Sequence, residues 1–207
     1  MRLKTDGNDA RGITQLVRLG WFKAVHVKAP SAQETRTLLN GRRFLVDKLT
    51  GIESTMRASL RNFGLEMGQV TRSKWAARAR ELAAGIPALE LVIESLLRVR
   101  DALRQELRAI DHRLLDEAKA DPVVRMLMTA PGVGAVVAST FKSAVDDPTR
   151  FKRVRDVGPW LGLTPSRYQS GRTDIVGHIT KAGDAGVRTA LYEAATTLLS
   201  RVTDGRP

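Results

Sequence analysis

The sequence predicts a mainly α fold on three observations. Apolar residues recur at helical spacing through two long stretches, 31–63 and 88–119. The stretch 21–28 alternates enough to be a strand, but it is short beside the helical patterns. Glycine and proline gather where the helical patterns stop, at Gly20, Gly64, Gly85-Ile86-Pro87 and Asp121-Pro122.

The elements follow in order. Asp6 to Gly20 reads as a helix with Ile13, Leu16, Val17 and Leu19 as its apolar face. Trp21 to Lys28 reads as a strand, carried by Phe22, Ala24, Val25 and Val27 and ended by Pro30. One helix and one strand cannot enclose a core, so residues 1–29 are expected to be the end of a larger domain. Residues 31–63 form a long helix through Leu38, Leu45, Val46, Leu49, Ile52, Met56 and Leu60, with Ser31 and Glu34 as a capping box. A loop (64–72) and a short helix (Ser73 to Ala84) lead to the second long helix, 88–119. There Leu89, Ile93, Leu96, Leu97, Arg100, Leu103, Leu107, Ile110 and Leu114 lie near a heptad seam. The pair reads as a helical hairpin or coiled coil over 30–120, with an ordinary bundle as the alternative. Residues 121–207 form a compact helical domain with a short hairpin near 165–180.

Composition narrows the function. The chain has 207 residues, 34 Lys and Arg against 22 Asp and Glu, and a formal charge of +12. The basic residues recur along the whole length, which points to a polyanion such as nucleic acid; a solvated basic surface is the bland alternative. No apolar run is long enough to span a bilayer, and no signal peptide opens the sequence, so a cytoplasmic location is expected. Without cysteine there are no disulfides and no Cys-based zinc sites. His26, His112 and His178 show no metal-ligand spacing.

Four motifs carry candidate chemistry. Pro131-Gly132-Val133-Gly134 resembles the turn of a helix-hairpin-helix element, in which Gly132 and Gly134 let a phosphate approach the following helix's amino end. A plain interhelical turn is the alternative. Phe151 to Pro165 reads as a short basic helix leading into Gly162-Leu163-Thr164-Pro165, with Lys152, Arg153 and Arg155 as phosphate contacts and Trp160 in the core. Ser170-Gly171 lies between Arg167 and Arg172, with Lys181 and Arg188 further on. A serine attacking phosphorus needs such cations for the phosphoryl oxygens, and a base that the sequence does not show. Gly183-Asp184 caps a last helix whose apolar face is Val187, Leu191, Ala194, Ala195 and Leu198. Asp6 and Asp9 in Lys4-Thr5-Asp6 to Asp9-Ala10 share one helix face and suit either Mg²⁺ binding or an ordinary helix cap.

In this joint order the motifs resemble the DEDD-type insertion-sequence transposases, the bridge-RNA-guided recombinases with a C-terminal serine-bearing transposase domain. The likeness covers nearly the whole chain. It implies that residues 1–29 are the C-terminal remnant of a RuvC-like, ribonuclease-H-type catalytic domain. Asp6 and Asp9 would be the last two of four acidic Mg²⁺ ligands. Ser170 would be the nucleophile that forms a transient covalent link to DNA. The long helices would dimerise and bind guide RNA, and the C-terminal domain would bind DNA and RNA–DNA duplexes. The first two acidic ligands have no counterpart here, so the resemblance implies an N-terminally truncated and inactive copy. Two other functions stay open: a non-catalytic, dimerising nucleic-acid-binding remnant, and a structural helical protein.

Overall fold

The computed structural model describes residues 5–22 and 25–203. Lys4, Ala24 and residues 204–207, on which parts of the motifs and the expected strand fall, lie outside the described residues. The architecture is mainly helical with one two-stranded sheet.

Helix α1 (Asp6–Arg18) begins at Thr5, whose hydroxyl accepts the Asn8 amide at 3.3 Å. It ends where Gly20 takes a φ of 67°. It buries none of its residues, so Ile13, Leu16 and Val17 face outward. The strand expected over Trp21 to Lys28 is corrected: Trp21, Phe22 and residues 25–28 belong to no strand. Alternation alone does not make a strand when no edge is present to pair its backbone groups. The segment is instead tied to the C-terminal part. His26 Nε2 and the Ala29 amide both reach Asp146 Oδ2, at 2.7 and 2.9 Å. Lys28 Nζ donates to the Ala144 carbonyl at 2.5 Å.

Helix α2 (Pro30–Arg61) starts two residues earlier than the capping box requires. Pro30 occupies the first helical turn, Ala29 is the cap, and no side chain caps the amino end. Ser31 is therefore already inside the helix, where its hydroxyl cannot close the box; proline's fixed φ sets the start instead. Helix α3 (Trp75–Ala83) and helix α4 (Pro87–Ala120) follow. Arg42 pairs with Asp111 and Glu53 with Arg100, so α2 and α4 run antiparallel. Met56, Leu60, Ile93 and Leu97 fill their seam, and Trp75, Ala79 and Ala83 of α3 close its far end. The alanines let α3 lie close to its neighbours.

Asp121 ends α4 and caps α5 (Pro122–Leu127), accepting the Val123 and Val124 amides at 2.9 and 3.0 Å; its other oxygen meets Lys142. Helix α6 (Ala135–Val145) packs on α2, α4, α5 and the last helix, α8 (Ala185–Thr203). Ala118, Val124 and Ala138 form one small core; Ala144, Leu161 and Val187 form another. On α8 the buried positions are Val187, Ala190 and Ala194, whereas Ala195 and Leu198 are exposed, contrary to expectation. The buried stripe faces α6 and the Pro131–Gly134 turn, which meets Ala194.

Asp184 joins the long helices to α8. It accepts the Gly186 and Val187 amides, and its other oxygen meets Arg36 Nη1 at 2.9 Å. Burial pushes its carboxyl up, but the Arg36 bond and the two amides outweigh that and hold it below the ordinary value. A carboxylate with a lowered folded pKa stabilises above its unfolded pKa and loses that contribution as pH falls through the folded one. Melting temperature followed from neutral to acid pH should therefore fall less steeply in Asp184→Asn, which keeps the cap without the charge. An identical slope in both chains would remove Asp184 from the acid response.

Candidate nucleic-acid interface

The C-terminal motifs, separate in sequence, meet at the base of a hairpin. Helix α7 (Val157–Trp160) ends in Gly162, and strands β1 (Pro165–Ser170) and β2 (Thr173–Ile179) pair antiparallel. The Thr180 amide donates to Thr164 O at 3.0 Å, and the Lys181 amide to Gly162 O at 3.1 Å. Gly162 has a φ of 70°, and a Cβ there would sit 2.5 Å from the Ala182 nitrogen. Gly183 is pressed equally hard onto Trp160 and Leu161. Gly162-Leu163-Thr164-Pro165 and Ile179 to Asp184 are thus two halves of one clamp.

Arg188 belongs to this clamp. Its Nη1 donates to the Leu161 and Gly183 carbonyls at 3.1 and 2.6 Å. Sequence reading placed it among the phosphate contacts; its position makes it a brace for the hairpin base. Lys181 stands beside it on the exposed surface, at a φ of 55°.

Ser170 ends β1 at the exposed tip, directly opposite Thr173. Tyr168 pairs with Ile175, and side chains two apart share a face. Ser170, Thr173, Tyr168 and Ile175 therefore form one face. Arg167 lies on the other, in a two-pronged bond to Asp174 at 2.7 and 2.5 Å. That guanidinium holds the Asp174 carboxyl below its ordinary value. So Arg167 does not share the face of Ser170, while Arg172 stands exposed in the adjoining turn. Tyr168 was missed in sequence. Counting back two residues from Ser170 along a strand would have found it.

The basic helix expected at Phe151 is corrected. Two 3₁₀ turns, Pro148–Arg150 and Val154–Asp156, precede the four-residue α7, and Lys152 and Arg153 lie exposed between them. A continuous helix would place Pro159 inside, where it lacks the N–H and meets the preceding turn's carbonyl. Phe151 instead packs edge-on against Trp160 at 5.3 Å, and the Arg150 guanidinium lies over both rings. Trp160 is half-buried against Ala144, Leu161 and Val187.

The Pro131–Gly134 turn does join two helices, α5 and α6. Gly132 has a φ of 80°, and a Cβ there would sit 2.6 Å from the Ala194 carbonyl of α8. Its missing side chain serves helix packing. Gly134 is exposed, has open space around it and leaves α6 without a side-chain cap.

Asp6 and Asp9 sit in the exposed first turn of α1. Among the described residues no group of three or more His, Cys, Asp or Glu could hold a metal ion. Two carboxylates on one solvent-facing turn are an incomplete donor set for Mg²⁺, which demands near-octahedral oxygen coordination. No helix of the described residues is long and apolar enough to cross a membrane.

Residues 124–206, which hold the turn, the clamp and the hairpin, match the transposase IS116/IS110/IS902 family. The matched residues are similar to this family of insertion-sequence transposases. Similarity extends beyond the matched domain. The transposase for insertion sequence element IS1111A of Coxiella burnetii is 30% identical over 208 residues, 96% of this chain and 56% of that protein. The transposase for insertion sequence element IS1328 of Yersinia enterocolitica is 26% identical over 200 residues, 96% of this chain and 60% of that protein. The chain thus spans little more than half the length of these curated relatives.

Proposed function

We propose that this chain is the serine-bearing, nucleic-acid-binding part of a transposase that cleaves and exchanges DNA strands in the cytoplasm. The observation that carries the reading is the place of Ser170: an exposed hydroxyl at the tip of a projecting hairpin, next to Arg172, inside the family-matched domain. Ser170 Oγ forms a bond to a backbone phosphorus, the bond from phosphorus to the leaving sugar oxygen breaks, and the sugar leaves as a hydroxyl. The serine proton passes, through water or a base outside the hairpin face, to the leaving sugar oxygen. Arg172 neutralises phosphoryl oxygen charge. Lys152, Arg153, Lys181 and the open amino end of α6 at Gly134 hold flanking phosphates, the last as a helix-hairpin-helix element does. Gly132 supports that end by seating the turn under α8.

The rest of the reading follows the family. The long helices of residues 30–120 would join two copies and hold guide RNA. Residues 1–29 would complete a ribonuclease-H-type domain, and 121–207 would act as the transposase domain. Asp6 and Asp9 would serve Mg²⁺ only with further carboxylates beside them. A second reading is a copy that binds nucleic acid and associates but does not cut.

The test is an SDS-resistant adduct between the chain and insertion-end DNA. The wild-type chain should form it, and Ser170→Ala should form none while binding within twofold of wild type. An adduct in Ser170→Ala would end the nucleophile assignment. Binding without any adduct in the wild type would establish the second reading. Affinity should fall with salt, and Lys152→Ala with Arg153→Ala should lower the log–log slope by about 2. An unchanged slope would remove these two residues from the phosphate track.

A further inference from the structure

We infer that Tyr168 stacks on an unpaired nucleic-acid base beside the phosphate presented to Ser170. The inference rests on the proposed role of the hairpin in DNA strand cleavage and adds the positioning residue for it. Tyr168 is 66% exposed and its cross-strand neighbour Ile175 is 58% exposed, on the same face as Ser170 and Thr173. Every residue of both strands is exposed, and the Thr180 and Lys181 amides anchor the hairpin at its base. An isolated two-stranded hairpin is marginal in water, and an aromatic ring held out on it has no role in the core.

The partner chemistry follows from the surroundings. Arg172 lies in the turn and Lys181 at the base, Asp174 is bound to Arg167 on the opposite face, and the chain as a whole carries +12. Two apolar side chains are far too small an area for a stable protein interface, which takes about 800 Å² per partner. They are enough for one base. An aromatic face accepts any base, and stacking is available only where a base is unpaired. Strand exchange creates such bases. One residue intervenes between Tyr168 and Ser170 in the strand, so the ring and the hydroxyl lie about 7 Å apart along it. That is close to one nucleotide step of an extended strand, so a stacked base would set the neighbouring phosphate against Ser170.

The test uses the full chain and oligonucleotides carrying 2-aminopurine, either unpaired in a gap or fully paired. Wild-type chain should quench the unpaired base. Tyr168→Ala should abolish the quench and weaken gapped-DNA binding by about tenfold, with duplex affinity within twofold. Tyr168→Phe and Tyr168→Trp should keep both, since the ring is what stacks. Unchanged quenching in Tyr168→Ala would overturn the inference. So would a change of oligomeric state at unaltered DNA affinity, which would make this face a protein contact. Ser170→Ala should keep the quench and lose only the adduct. Loss of the adduct alone with a silent Tyr168→Ala would leave the nucleophile standing and the stacking refuted. The opposite pattern would refute the nucleophile alone.

Discussion

Gly162→Ala will cost the chain about 3–5 kcal/mol and lower its melting temperature by ~10 °C. Two effects add at this position. A φ of 70° is unfavourable for any side chain, and the new Cβ would lie 2.5 Å from the Ala182 backbone nitrogen. The obstacle is backbone on the far side of the clamp, so no rotamer change relieves it. Either the α7 end or the 181–183 loop must move, and the hairpin base moves with it. DNA binding at the hairpin should weaken even where the rest of the chain stays folded. Gly171→Ala is the control: its φ is 56° but open space surrounds it, so only about 1 kcal/mol of backbone strain is expected. Thermal unfolding by circular dichroism reads both. Equal shifts in the two variants would show that the clamp is not packed as described.

Arg100→Ala should destabilise the helical hairpin by about 3 kcal/mol. Arg100 is 2% exposed in the α2–α4 seam, its Nε is 2.7 Å from Glu53 Oε1, and its guanidinium lies 4.6 Å from the centre of the Trp75 ring. Breaking a buried pair from one side leaves a charge without compensation, at about 3–5 kcal/mol; Glu53 is about one-third exposed, so solvent screening puts the figure at the lower end. Packing against Trp75 is lost as well. Arg100→Met fills the space but still strands Glu53, so it should lose less. Arg100→Met with Glu53→Met should return near wild-type stability, because two apolar chains of similar volume need no desolvated charge. A double variant as unstable as Arg100→Ala would mean that the pair itself stabilises the seam.

The helices were readable because their apolar spacing is local. The α2 and α4 seams ran through the residues predicted for them, including Arg100. Asp121-Pro122 and Gly183-Asp184 marked real boundaries, since a cap needs only its own next turn. The Trp21–Lys28 strand failed for the opposite reason: a strand requires a second chain segment, and sequence alternation does not supply one. The Ser31 capping box failed because Pro30 fixed the helix start first.

In the candidate site, sequence determined the residue types, the family-matched domain and the hairpin near 165–180. Tertiary structure decided what those residues face. It turned Arg188 into a brace on two carbonyls, moved Arg167 to the far side of the sheet against Asp174, and set Tyr168 beside Ser170. It also gave Gly132 and Gly162 to backbone packing against Ala194 and Ala182. Periodicity and capping act over a few residues and are written in the chain itself. Direction across a strand and contact between distant segments exist only once the chain has closed on itself.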